Sequence, residues 1–233
     1  MNETVDSVVL EARGLVKTYR SPSETIRVLR GADLSVRKGE IVAIVGPSGV
    51  GKSTLLHILG ALDRPDEGGV FIDSIDVFSL SDSRLAGLRN THFGFVFQFH
   101  HLLSELTALE NVMMPCLIAG LDARESAERA RRMLVEEAGL VGRLEHRPRE
   151  LSGGEQQRVA VARALVMGPS VVFADEPSGN LDPDSGQALH RLIWDLSRRQ
   201  GRSFVIVTHN TELASSADRV LKLFDGLLTE IKI

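Results

Sequence analysis

The chain has 233 residues, a formal net charge of −4, 43% hydrophobic and 25% charged residues, and one cysteine. That length buries a full core and fits one domain with a subdomain inserted. The balance excludes three classes: no Lys/Arg block is long enough to track a nucleic-acid backbone, Cys116 alone cannot form an internal disulfide, and no window approaches about 20 uncharged apolar residues, so no bilayer crossing is expected. The N-terminal MNETVDSVV lacks the basic segment and long apolar run of a signal peptide, and a cytosolic protein is the expectation.

In chain order, residues 7–20 and 25–37 read as strands around a Ser21-Pro22-Ser23 turn. Residues 40–45 form a short apolar run ending at Gly46, as expected of a strand buried on both faces. A helix with apolar residues all round follows over 51–59, closed by Gly60 and DRPDEGG, with another strand over 70–77. From Gln98 to Leu151 strand-like runs vanish and helical patterns take over. The Arg-rich stretch at 124–132 alternates with Glu125 and Glu128, which makes it a solvated helix face. Alternation then resumes: helix 155–167, strand 170–174, helix 184–199, strand 203–208. This pattern predicts a parallel α/β sheet with a helical insertion.

GPSGVGKST (Gly46, Pro47, Ser48, Gly49, Val50, Gly51, Lys52, Ser53, Thr54) matches the phosphate-loop pattern in its required strand–helix context. Its glycines let successive N–H groups converge on phosphate oxygens, and the following helix adds its positive end. Lys52 offers a point charge to terminal phosphates, and the Ser53 hydroxyl is suited to Mg²⁺. Asp175 and Glu176 end the apolar strand VVFAD, where parallel sheets place their ligands. Neighbouring residues leaving a strand point in different directions. Asp175 is therefore read as serving the metal through its water shell, and Glu176 as polarising the attacking water. His209 closes strand 203–208 at the same edge, as a donor for a γ-phosphate. Gln98, after FGFVF, is read as reaching Mg²⁺ and the hinge of the insertion. Tyr19, the only tyrosine, reads either as a stacking platform for adenine or as an ordinary strand aromatic. His100 and His101 are adjacent, so their side chains do not converge on a metal.

LSGGEQQR (151–158) contains a capping box, with Ser152 at the N-cap and Glu155 three residues on. Gly153 and Gly154 leave the backbone bare, so this helix start is a second anion site. A chain with one triphosphate site has no local use for another, and the economical inference is that Ser152, Gly153, Gly154 and Glu155 complete the site of a second subunit.

These motifs together resemble the ATP-binding subunits of ABC transporters over essentially the whole chain. The resemblance implies a nucleotide-binding core of the P-loop (RecA-like) type formed by 1–97 and 155–233 with an antiparallel β part. It also implies an inserted helical subdomain at 98–154. It casts Tyr19 as the A-loop, Gln98 as the Q-loop, Leu181-Asp182 as the D-loop and His209 as the H-loop. Two ATP molecules with Mg²⁺ would lie between head-to-tail copies, with Glu176 as catalytic base and Lys52 and His209 at the γ-phosphate. ADEPSGNLD (174–182) is similar to the subgroup serving lipoprotein release, macrolide export and cell division. Within it, QFHHLLSELTALENVMMPCLI (98–118) resembles the ATPase of lipoprotein-releasing LolCDE complexes. The implied partners are integral membrane subunits of the LolC/LolE kind docking near 98–118, with this chain peripheral on the cytoplasmic face of the inner membrane. The apolar Leu102, Leu103, Leu106 and Leu109 suit such a groove or the insertion's own core. A macrolide-type exporter or an FtsE-like cell-division complex is the alternative. Two positions depart from the usual pattern: Asn210 stands where Asp commonly follows the histidine, and Val50 replaces Ser or Cys.

Overall fold

The computed structural model describes residues 7–21 and 24–232, so Pro22 and Ser23 of the expected turn, and the first six residues, lie outside the description. Two compact units divide the chain, one running to Ala86 and resuming at Ser203, the other Gly87–Arg202.

In the first unit, β1 (Val8–Arg20) and β2 (Thr25–Arg37) pair antiparallel, with Tyr19 opposite Ile26. Their inward positions, among them Leu10, Leu15 and Leu29, are fully buried. β3 (Ile41–Val45) is buried at four of its five positions and leads through the Gly-rich loop into α1 (Lys52–Leu59), which buries Leu55, Leu56, Ile58 and Leu59. The expected single strand over 70–77 is instead β4 (Glu67–Ile72) folded back on β5 (Ile75–Asp76). Asp73 and Ser74 both take positive φ, 47° and 69°, the conformation a tight two-residue hairpin requires. The sheet order is β2-β1-β4-β5. α2 (Asp82–His92), not anticipated from the sequence, carries the chain onward.

The second unit opens with β6 (Phe93–Val96), the FGFV of the apolar run. Next come α3 (Ala108–Ile118), capped by a Thr107–Glu110 box, and α4 (Ala123–Arg132), capped by Asp122. α5 (Gly153–Leu165), β7 (Val171–Asp175) and α6 (Pro183–Gln200) follow. β6 and β7 are parallel, with Val96 opposite Ala174. The helical core gathers Val112, Cys116, Ala130, Leu134, Val159 and Ala162, with Leu102 and Leu109 packed on its flank. Beside it the amide of Asn111, fully buried, donates to the carbonyls of Leu103, Leu106 and Thr107 and accepts from Leu103 N. One side chain thus satisfies the backbone of a loop that has no ladder of its own.

Back in the first unit, β8 (Ser203–Val207) lies parallel to β3, and α7 (Thr211–Ser215), β9 (Arg219–Phe224) and β10 (Leu227–Ile231) end the chain. The strands of this unit order as β10-β9-β3-β8, with β9 parallel to β3 and β10 antiparallel to β9. The C-terminal hairpin, unread in the sequence, is fixed by Arg219, which bridges Glu40 at 3.0 Å and Glu230 at 3.2 Å. Among the described residues no helix is long and apolar enough to cross a membrane.

Candidate functional site

In the first unit the phosphate loop is shaped by positions that admit no side chain. A Cβ on Gly46 would stand 2.5 Å from the Leu223 carbonyl oxygen, and one on Gly51, at φ 104°, would stand 2.1 Å from a Val28 methyl. Val50 turns its side chain toward Gly46, a packing role beside the backbone role read from the sequence. Gly51 is the N-cap of α1 and supplies no side-chain cap, which suits the helix start to an external acceptor. Lys52 Nζ lies over the loop, donating to Gly46 O and Pro47 O at 2.9 Å each. Ser53, one residue into α1, is exposed.

Register brings His209 to this loop's level. Ile44 pairs with Val207, and Thr208 N donates to Ile44 O at 3.1 Å, so Gly46 and His209 each lie two residues past a matched pair. Both leave the carboxyl ends of neighbouring parallel strands, where open α/β sheets bind ligands. Asn210, the departure from the usual Asp, caps α7 by accepting from Leu213 N at 2.9 Å. Asn and Asp serve equally there. Tyr19 is 45% exposed on β1. Its hydroxyl donates to Asp63 Oδ2 at 3.1 Å, and Lys17 Nζ sits 5.3 Å from its ring centroid. Among the described residues no hydrogen bond joins Tyr19 to the phosphate loop. Lys17 and the backbone N–H of Arg64 hold the Asp63 carboxyl below its ordinary range against the opposing effect of its partial burial.

In the second unit, Gln98 and Glu176 occupy the equivalent places, each two residues past the Val96–Ala174 pair. Glu176 takes φ +45°, left-handed for a residue with a side chain. Such a conformation costs about 1–3 kcal/mol and persists only where surroundings enforce it. Here Gly179 N donates to Glu176 O at 3.0 Å, and Leu181 N donates to Ser178 O at 3.1 Å. Gln98 Nε2 donates to Asn180 Oδ1 at 3.0 Å, and Asn180 Nδ2 donates back to Gln98 O at 3.2 Å. Asp182 caps α6.

The start of α5 is a complete capping box. Ser152 Oγ accepts from Glu155 N at 3.2 Å, and Glu155 Oε2 accepts from Ser152 N at 2.8 Å. Arg143 Nε grips the other carboxylate oxygen at 2.8 Å and, together with the Ser152 bonds, holds the Glu155 pKa down to about 2. The two glycines differ. A Cβ on Gly154 would come within 2.8 Å of Ser185 Oγ, whereas one on Gly153 would meet only a Leu181 methyl at 3.8 Å.

Sequence reasoning missed the residues that fasten the segment after β6. Gln157 donates to Phe97 O at 3.0 Å, and the Arg163 guanidinium donates to His101 O and His100 O at 2.7 and 2.8 Å. No motif marks Arg163, because it serves main-chain carbonyls. His101 stands edge-on to Phe97, while burial of the His100 ring pushes its pKa down. Leu102 and Leu109 join the helical core, but Phe99 and Ile118 remain 65% and 68% exposed.

Among the described residues no three His, Cys, Asp or Glu side chains cluster to hold a metal by themselves. The available donors (the Ser53 hydroxyl, the Gln98 amide oxygen, the Asp175 carboxylate) are hard oxygens. Each is of the donor type that suits Mg²⁺, which usually binds through one or two protein groups plus substrate phosphates and water.

A family model described as ABC transporter matches residues 29–179. The lipoprotein-releasing system ATP-binding protein LolD of Geobacter metallireducens is 54% identical over 220 residues, covering 94% of this chain and 97% of that one. The LolD 2 protein of Chlorobaculum tepidum is 53% identical over 229 residues, covering 96% and 92%. Among solved structures, a dimeric ATP-binding cassette in a post-hydrolysis state with ADP and Pi superposes with a TM-score of 0.87. It is 40% identical, with 96% of this chain and 98% of that chain covered.

Proposed function

The chain belongs to the ABC transporter family as one of its ATP-hydrolysing cassettes, and from that premise we propose that it powers the release of lipoproteins from the inner membrane. What carries the choice of cargo is similarity above 50% that covers nearly all of both chains. The cassette would act peripherally on the cytoplasmic face, bound to integral membrane subunits near residues 98–118. Phe99, Leu103, Leu117 and Ile118 are the large apolar side chains exposed there.

In this reading Lys52 and the bare N–H groups of the loop hold the terminal phosphates, Tyr19 supports the adenine and His209 donates to the γ-phosphate. Ser53, Gln98 and Asp175 are the residues that would hold Mg²⁺, whose charge offsets the negative charge on the phosphates. Glu176 accepts the proton of the attacking water. Ser152, Gly153, Gly154 and Glu155 serve the nucleotide of a second copy. Gly153 supports this last assignment: it is exposed at the start of α5, and its own chain leaves room for a side chain there. Its bareness therefore fits an approach from outside the chain. Bound phosphates would join the two faces, so dimerisation should depend on nucleotide.

Glu176→Gln tests the catalytic part. It should retain ATP binding, lose 10²–10⁴-fold in turnover and elute as a dimer only with ATP and Mg²⁺; normal turnover in a monomer would refute it. The cargo is tested with the membrane subunits reconstituted in vesicles. ATP should release lipoprotein to a soluble carrier with the wild-type chain and not with the variant.

A further inference from the structure

We infer that Asn180 is a positioning residue for the metal: it fixes the amide of Gln98 so that the oxygen, not the nitrogen, is left for coordination. The inference rests on the proposed reading of Gln98 as a metal ligand and assigns a reason that it works. A primary amide has two nearly isosteric poles, one donor and one acceptor, and a free side chain presents both by rotating about its last bond. Only the oxygen is useful to a hard cation. Here Nε2 is committed to Asn180 Oδ1 at 3.0 Å, and Asn180 is held in turn by its own Nδ2 bond to Gln98 O at 3.2 Å. The two bonds close a ring, so neither amide can turn without losing a partner. Among the described residues Gln98 Oε1 has no hydrogen-bond partner.

The neighbouring glycine belongs to the same device. A Cβ on Gly179 would stand 3.1 Å from Gln98 Nε2 and 3.3 Å from Glu176 O, although the residue's φ is not positive. Gly179 is small because an amide nests against it. Its N–H also closes the turn on Glu176 O at 3.0 Å. The proposed ligand and the proposed base are thereby referenced to one four-residue turn. Outer-shell partners of this type are worth 10–100-fold in metal affinity.

The test uses Mn²⁺ as the probe, titrated by its electron paramagnetic resonance signal in the presence of a non-hydrolysable ATP analogue. Asn180→Leu, which keeps the branched outline and removes both hydrogen bonds, should weaken Mn²⁺ about tenfold. Affinity for the metal-free analogue should stay unchanged, which shows that the variant is folded. Asn180→Asp keeps the acceptor for Nε2 and should stay within about threefold of the parent chain. In a Gln98→Ala background, Asn180→Leu should add less than about twofold. If Gln98→Ala alone leaves Mn²⁺ affinity intact, the ligand reading falls and this inference with it. If Gln98→Ala weakens the metal but Asn180→Leu does not, or does so equally in both backgrounds, the positioning role alone is overturned.

Discussion

The two helix starts proposed to meet phosphate are built in opposite ways. α1 begins at Gly51 with no side-chain cap, on a backbone that neighbouring atoms forbid from carrying side chains at Gly46 and Gly51. α5 begins at Ser152 with a reciprocal box that Arg143 clamps from outside. The first leaves its donors for a ligand and depends on steric exclusion for its shape. The second organises itself with its own side chains and exposes one bare residue, Gly153, at its tip. A phosphate loop and a capped tip differ in what maintains them when no phosphate is near.

The sharpest way to break this contrast is Gly51→Ala. A left-handed φ and a 2.1 Å encounter with Val28 should distort the loop, costing nucleotide affinity a hundredfold or more and about 2–3 kcal/mol of stability; calorimetric titration and urea denaturation measure both. Gly153→Ala is the matched change at the other tip. Stability should move by less than about 0.5 kcal/mol, because only a methyl at 3.8 Å is met. ATP turnover should nevertheless fall about tenfold if a second copy approaches there. Unchanged turnover would deny Gly153 any role beyond its own helix.

Glu155→Gln addresses the clamp and should cost about 1 kcal/mol at pH 7. The folded pKa of Glu155 lies below its ordinary 4.5, at about 2. Its contribution is therefore present above pH 4.5 and drains away as pH falls toward 2. Urea denaturation of the parent chain and the variant should converge over that window. A constant gap would show the clamp acting through shape rather than charge. The smallest effect is expected of Asn210→Asp, within about 0.3 kcal/mol, since both residues cap helices equally well. A large change in turnover would instead show that position 210 acts on His209.

How much of this could be read in advance depended on periodicity and on who serves whom. β3, α1, β7 and β8 were legible because buried parallel strands and their flanking helices carry unbroken apolar runs. The phosphate loop and the Ser152 box were legible because their spacing is itself the mechanism. α2 was not: its apolar positions are too few to mark a face, and only Leu85 is buried. The β4–β5 hairpin was hidden because an Asp-Ser pair in left-handed conformation is a weaker turn signal than Asn-Gly. Asn111, Gln157, Arg163 and Asn180 escaped for one shared reason. Each serves main-chain or amide groups, and nothing in a sequence says which carbonyls will need a donor.

Arg163 carries a mechanical corollary. Burial lowers its pKa, and its guanidinium has two successive carbonyls for company rather than a carboxylate. Prising residues 100 and 101 away would strand a cation in a poorly solvating place, at a cost of several kcal/mol. Residues 100 and 101 are thus tied to α5 through Arg163, and displacing that segment without the helix carries this cost.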